Sequence, residues 1–343
     1  MSVRFTVGRA VTVLFLLAVV LTATFLLALL LGEQPLSFSE AFTAGTTDAA
    51  ILWSLRLPRA LLAGIVGAAL AASGCALQAL MRNPLADPFV LGVSGGAALG
   101  ATVALALGLG TLTAASGPTG SIFQASATSA FALVGSLGAT ALVLTLGKVA
   151  GARSPHTTLL CGVIFNSFAL AVIIFIKALA APDKLGEILY WLAGTLGYER
   201  GWTLAATGAF EVIAIGAMWA ASGRLNLLTL GDEEAASLGV HVERTRLFLL
   251  VAASLAVSAA VALSGLVGFV GLIVPHVLRL WLGPDQRLLL PASALGGAAF
   301  LVFADLCARL LFRVFHEEPP VGGVTALLGV PFFFLLLYRG RRA

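Results

Sequence analysis

Arg56 and Arg59 open a long apolar stretch, RLPRALLAGIVGAALAASGCALQAL, and a rigid Asn83-Pro84 turn follows its end. Basic groups at one end of a membrane-length run and a proline break at the other suit a chain that manages both surfaces of a bilayer, which points to transport. Two acids lie within apolar windows, Glu211 in GAFEVIAIG and Asp305 in ADLCAR. Carboxylates at that depth could load and release protons or sodium in an ion-coupled secondary transporter. Asp305, however, has Arg309 one helical turn later, the spacing of a neutralised pair, and Glu211 stands alone. Two isolated acids make a thin coupling pathway.

The polar stretch SGRLNLLTLGDEEAASLGVHVERTR, residues 222–246, offers a different chemistry. Leu230 and Gly231 precede Asp232, Glu233 and Glu234, which places acids on the positive end of a helix dipole. Ala235, Ala236, Leu238 and Gly239 then supply a compact face suited to the cleft of another protein. The alternative is a solvated connector helix.

Other chemistries lack their residues. Cys75, Cys161 and Cys307 lie singly in apolar runs, without CxxC spacing, and are expected as small buried side chains. His156, His241, His276 and His316 are far apart, so no metal site is expected. Gly147-Lys148 is followed by Val149 and lacks the earlier glycine of a phosphate loop. The chain is therefore expected to be no enzyme and to bind no cofactor; any ATP must be bound by a partner subunit.

The elements that position these groups follow from composition. Hydrophobic residues make up 59% of the 343 and charged ones 10%, with a mean hydropathy of +1.04. A soluble domain could not cover that with polar surface. Because a hydrocarbon core of roughly 30 Å needs about 20 apolar residues per helix, the expectation is an all-α, polytopic membrane protein with about ten spans. They fall near 11–31, 57–81, 89–109, 125–147, 157–181, 203–221, 246–265, 266–282, 289–313 and 321–338. The boundary between the seventh and eighth is indistinct. The first has Leu29 and Leu31 where a cleaved signal would need small residues, so it is expected to stay as a span.

Ten spans put both termini on one side, and Arg339, Arg341 and Arg342 argue that this side is the cytoplasm. On that topology Arg56, Arg59, Lys177, Lys184, Arg200, Arg309 and Arg313 lie outside, and the other thirteen of the 20 basic residues inside. The net charge of +4 thus reflects orientation in a lipid bilayer and gives no reason to expect nucleic acid. An echo of Ser73-Gly74 at Ser264-Gly265 fits inverted repeats near 57–181 and 246–338 within a single domain, 1–343, though chance in an Ala/Gly-rich chain accounts for it equally. Gly92, Gly96 and Gly100 stand four apart, clearing one helical face for a neighbouring backbone.

RLPR, SGCALQALMRNPLADPFVLGVSGGAALGA, WLAGTLG, LNLLTLGDEEAASLGV, GFVGLIVPHVLRLWLGPDQR, ADLCAR and PPVGGVTALLGVPFFFLLL occur in order from about residue 50 to 338. Together they closely resemble the FecCD family, the permease subunits of bacterial ABC importers for iron-siderophores, haem and vitamin B12. The resemblance implies a type II ABC importer permease that forms a homodimer around its translocation path and binds two cytoplasmic ATPase subunits. A periplasmic or lipid-anchored substrate-binding protein would deliver cargo from outside, through Arg56, Arg59 and Arg309 facing its carboxylates. Bidentate pairing suits the guanidinium fork; snorkelling to headgroups is the plainer account. The resemblance also makes residues 230–239 the region that couples to the ATPase, and puts a cytoplasmic gate at Pro155, His156, Thr157 and Thr158. Helix capping accounts equally well for Thr157. No cluster of His, Tyr or Met singles out haem as cargo.

Overall fold

The computed structural model describes residues 6–43, 45–109, 118–149, 155–197, 199 and 201–340. Every regular element among them is helical: α1 (Val7–Leu30), α2 (Phe38–Ala41), α3 (Thr47–Ala50), α4 (Leu57–Leu80), α5 (Val93–Ala106), α6 (Pro118–Val149), α7 (Pro155–Leu179), α8 (Pro182–Leu192), α9 (Gly201–Ala220), α10 (Ser222–Leu228), α11 (Asp232–Ser237), α12 (Val242–Ser264), α13 (Val270–Leu282), α14 (Gln286–Phe315) and α15 (Val321–Gly340). A π-helical turn, Ile51–Arg56, runs into α4, and a 3-10 turn, Pro88–Leu91, precedes α5. In hydrocarbon each backbone polar group must be satisfied within its own segment, which leaves the helix as the available solution for such apolar runs.

Seven helical stretches among the described residues are long and apolar enough to span a bilayer, and three shorter apolar helices, Val93–Ala106, Val270–Leu282 and Val321–Pro331, accompany them. Each of the ten windows expected from hydropathy overlaps one of these helices. The indistinct boundary is settled by backbone geometry: Gly265 (φ 63°) ends α12, and Phe269 (φ 69°) precedes α13.

The core is built around α4, which packs against α14, α12, α13 and α9, and residues 69–81 are buried without interruption. α5, α6 and α7 form a second sheaf. Small residues at the crossings allow this closeness, since between helices in lipid it is backbone approach, with no hydrophobic driving force, that gives packing. A Cβ on Gly67 would strike the carbonyl of Gly297, and one on Gly96 the carbonyl of Gly135. The expected glycine stripe is therefore real at Gly96 and Gly100, which face α6. Gly92 also lies close to its neighbours, since a Cβ there would sit 3.1 Å from Val143 of α6 and 3.2 Å from Phe165 of α7, and with φ 85° it turns the chain as the N-cap of α5. The two members of the Ser-Gly echo also differ locally, since Ser73-Gly74 lies inside α4 while Gly265 ends α12.

α1 behaves differently. Ala28 is its buried residue, while Val7, Phe15 and Leu26 are half or more exposed. It rests on α14, touches α4 lightly, and leaves most of its surface outside the bundle.

Candidate functional site

Polar groups concentrate at the two ends of the bundle. At one end the first turn of α4 meets the last turns of α14. Arg59 Nε donates to Asp305 Oδ1 at 2.8 Å, and Arg309 Nε donates to Asp305 Oδ2 at 3.0 Å. The other arm of Arg59 forks onto Glu318, with Nη1 donating to Oε2 at 3.1 Å and Nη2 pairing with Oε1. Arg56 reaches back to α1 and the loop after it, donating to the carbonyls of Leu29 and Leu30 at 2.9 Å each and of Gln34 at 2.5 Å. Arg309 Nη1 donates to Ala28 O at 3.0 Å, and Arg313 Nη2 to Gly32 O at 2.6 Å.

The sequence expectation placed Arg56, Arg59 and Arg309 on an outward face. The structure gathers all three at one end of the bundle, but leaves only 5–6% of each exposed. A buried guanidinium needs a carboxylate or several carbonyls to offset its lost hydration, and these supply both. Asp305 and Arg309 do form the pair that their spacing suggests. Glu318, in the segment HEEPP, was not singled out by sequence. Its separation from Arg59 by 259 residues leaves no local signal.

At the other end lies the segment 222–246. Asp232 holds two arginines: Arg82, just past α4, donates to its Oδ1 at 2.5 Å, and Arg246 of α12 donates to Oδ1 at 2.9 Å and Oδ2 at 2.7 Å. Asn226 of α10 donates to Asp285 Oδ1 at 2.7 Å and accepts the Gln286 amide at 2.8 Å, where α14 starts. Trp219 Nε1 donates to the Arg287 carbonyl at 3.0 Å. Three spans are thus tied to one polar segment.

Within that segment Leu230 and Leu238 are 62% and 59% exposed, and Glu233, Glu234, Ala236 and Gly239 are exposed beside them. Gly231 (φ 151°) is the N-cap of α11, as the acid run suggested. Ala235 is corrected. It is fully buried, turned towards α10 and α12, because a one-and-a-half-turn helix lying on the bundle must point one side inward. The apolar members of the outward face are Leu230, Ala236, Leu238 and Gly239, beside the exposed Glu233 and Glu234.

The expected gate begins α7. Thr157 lies in its first turn and not at an N-cap, and Thr157 and Thr158 are partly exposed. The side chains of Pro155 and His156 lie outside the described residues. A cavity of about 320 Å³ opens between α5, α6, α8 and α12, with Thr128, Ser129, Glu187, Tyr190 and Thr195 among its polar lining groups. Glu199 also faces it, its carboxyl pushed above the usual range by burial. Cys75 is buried and donates to Gln286 Oε1 at 3.2 Å, while Cys161 and Cys307 are half-buried.

Comparison with known proteins supplies the frame for these two ends. The chain is 43% identical over 294 residues to an ABC transporter permease protein, YvrB, of Bacillus subtilis, covering 85% of this chain and 80% of that one. It is 42% identical to the cobalamin import system permease protein BtuC of Halobacterium salinarum (88% and 76% covered), and 40% identical to the hemin transport system permease protein HmuU of Yersinia pestis (91% and 90% covered). A solved ABC transporter described as metal-chelate type, in an inward-facing conformation, superposes with a TM-score of 0.84 at 31% identity, over 96% of this chain and 99% of that one. The profile of the FecCD transport family matches residues 19–339, nearly the whole of the sequence. With its all-helical bundle and the ten apolar helices among its described residues, the chain belongs to the FecCD transport family.

Proposed function

We propose that this chain is the membrane-spanning permease subunit of an ABC importer that carries an iron chelate, as siderophore or haem, or cobalamin across the bacterial cytoplasmic membrane. It works as a homodimer with both termini in the cytoplasm, and two separate ATPase subunits power it. A substrate-binding protein delivers the cargo at the end that carries Arg56, Arg59 and Arg309. The names of the relatives, cobalamin and hemin import permeases, support the cargo class.

The observation that carries this reading is the exposed face Leu230, Ala236, Leu238 and Gly239 on α10–α11. An apolar strip at the polar end of a membrane protein marks a partner's seat. A mere connector needs no such strip, nor three separate tethers to α4, α12 and α14.

The test is assembly. Leu238→Asp places a charge on the outward strip without touching the core. Co-purification of the ATPase subunits should fail while the permease remains monodisperse with an unchanged melting temperature. The isolated permease should hydrolyse no ATP, and hydrolysis should appear on adding the ATPase subunits. Unchanged assembly with Leu238→Asp would reduce the segment to a connector.

A further inference from the structure

We infer that Glu318 is an internal stand-in for a carboxylate of the outer protein partner, and that docking exchanges one carboxylate for the other on Arg59. This rests on the proposed delivery of cargo at the arginine end and adds the step by which buried arginines become available.

Three observations carry it. First, the two carboxylates that hold Arg59 differ in access. The Asp305 side chain is 1% exposed and sits between two arginines, whereas the Glu318 side chain is 22% exposed and, among the described residues, forms an ion pair with Arg59 alone. An approaching acidic group can compete for the second and not the first. Second, Arg309 Nη2 is buried and has no acceptor among the described residues, although Nε and Nη1 of the same group are bonded. A buried guanidinium donor left unpaired is costly, so the cluster is one acceptor short before any partner arrives. Third, four arginines gather here, with Arg309 and Arg313 close enough for their charges to repel that of Arg56. Asp305 and Glu318 alone pair with them directly among the described residues, while Glu33 and Asp48 act on Arg56 from farther off. The cluster has room for more negative charge.

The exchange has a mechanical consequence. Glu318 lies in the link between α14 and α15, between His316 (φ 57°), which terminates α14, and Pro319-Pro320. Just beyond, the Gly322 amide donates to Gly194 O at 3.1 Å, and Gly322 packs against the carbonyls of Ala193 and Leu266. Release of Glu318 therefore frees a link whose far end rests on the turn after α8 and the α12–α13 junction. Docking would be felt at α15 with no contact to that helix.

The test uses full-length permease with its ATPase subunits in nanodiscs, and a purified substrate-binding protein that supports uptake with it. Glu318→Gln removes the competing carboxylate and should tighten binding of that protein about fivefold or more at low salt. Glu317→Gln removes the same charge from the neighbouring exposed position, away from Arg59, and should change affinity less than twofold. A nitroxide on Glu317→Cys should gain mobility when the wild-type side chain at 318 is displaced by the bound partner. If Glu318→Gln leaves affinity unchanged or weakens it while the wild type binds, exchange is wrong and docking stands. Equal tightening by both neutral variants would assign the effect to bulk charge and also overturn exchange. If the wild type does not bind the delivery protein at all, the docking reading fails with it.

Discussion

Gly74 of α4 and Gly271 of α13 cross backbone to backbone: a Cβ added to Gly74 would fall on the carbonyl of Gly271. This crossing fixes the short helix α13 against the most buried helix of the bundle. Gly74→Val must push the two backbones apart, and overpacking of a rigid crossing costs about 1–3 kcal/mol or more. We expect little monodisperse protein, or a melting temperature in detergent lowered by many degrees. Gly138→Ala, where nothing lies within 4 Å of the added Cβ, should leave melting unchanged. Equal behaviour of the two variants would remove the crossing from the stability argument.

Asp305 should matter more to the fold than Glu318. It is fully buried and shared by Arg59 and Arg309. Removing one member of a buried ionic group leaves the other charges without compensation, at a cost of about 3–5 kcal/mol. Both arginines also reach other parts of the chain, Glu318 from Arg59 and the Ala28 carbonyl from Arg309. Asp305→Asn should therefore lower the melting temperature well beyond Glu318→Gln and increase proteolysis near the α1 C-terminus. A milder effect for Asp305→Asn than for Glu318→Gln would reverse the assigned hierarchy.

Much of this bundle was legible because a bilayer leaves few options: a run of about 20 apolar residues with its backbone unsatisfied by water is a helix. What lay beyond was decided by contacts distant in sequence. The Asp305–Arg309 pair shows itself four residues apart, but Arg59 and Asp305 are separated by 246. Spacing can pair Arg309 with Asp305, but it carries no sign that Asp305 and Glu318 also hold Arg59. The inward turn of Ala235 is invisible in sequence because a six-residue helix has too little periodicity to tell its inner side from its outer.

Asp232 should transmit motion without holding much stability. Its pair with Arg82 is about two-fifths exposed on both sides, and exposed ion pairs contribute roughly 1 kcal/mol or less. Its geometry is another matter, since one carboxylate joins the end of α4 to the start of α12. Asp232→Ala should preserve melting temperature and ATPase co-purification. It should lower transport per ATP hydrolysed several-fold in proteoliposomes, with Asp232→Glu recovering part of it. Unchanged stoichiometry of transport to hydrolysis would make the clasp a passive surface contact.

Glu211 separates an ATP-driven permease from an ion-coupled carrier. It is 2% exposed at the centre of α9, and neither carboxyl oxygen has a hydrogen-bond partner among the described residues. It faces a cavity of about 680 Å³ between α1, α4, α9 and α14, lined almost wholly by apolar groups such as Phe25, Ile65, Ile215 and Leu295. The other acid in an apolar span, Asp305, is locked between Arg59 and Arg309 at the arginine end of the bundle and is ill placed to serve as a second relay station. An isolated buried polar group without partners costs about 1–3 kcal/mol, so an apolar replacement of similar size removes a penalty. Glu211→Leu should raise the melting temperature by a few degrees and leave uptake dependent on ATP and indifferent to a proton or sodium gradient. Loss of uptake in Glu211→Leu with the fold intact, together with uptake by wild-type permease under an ion gradient without ATP, would put the coupling carboxylate at this position and overturn the ATP-driven reading.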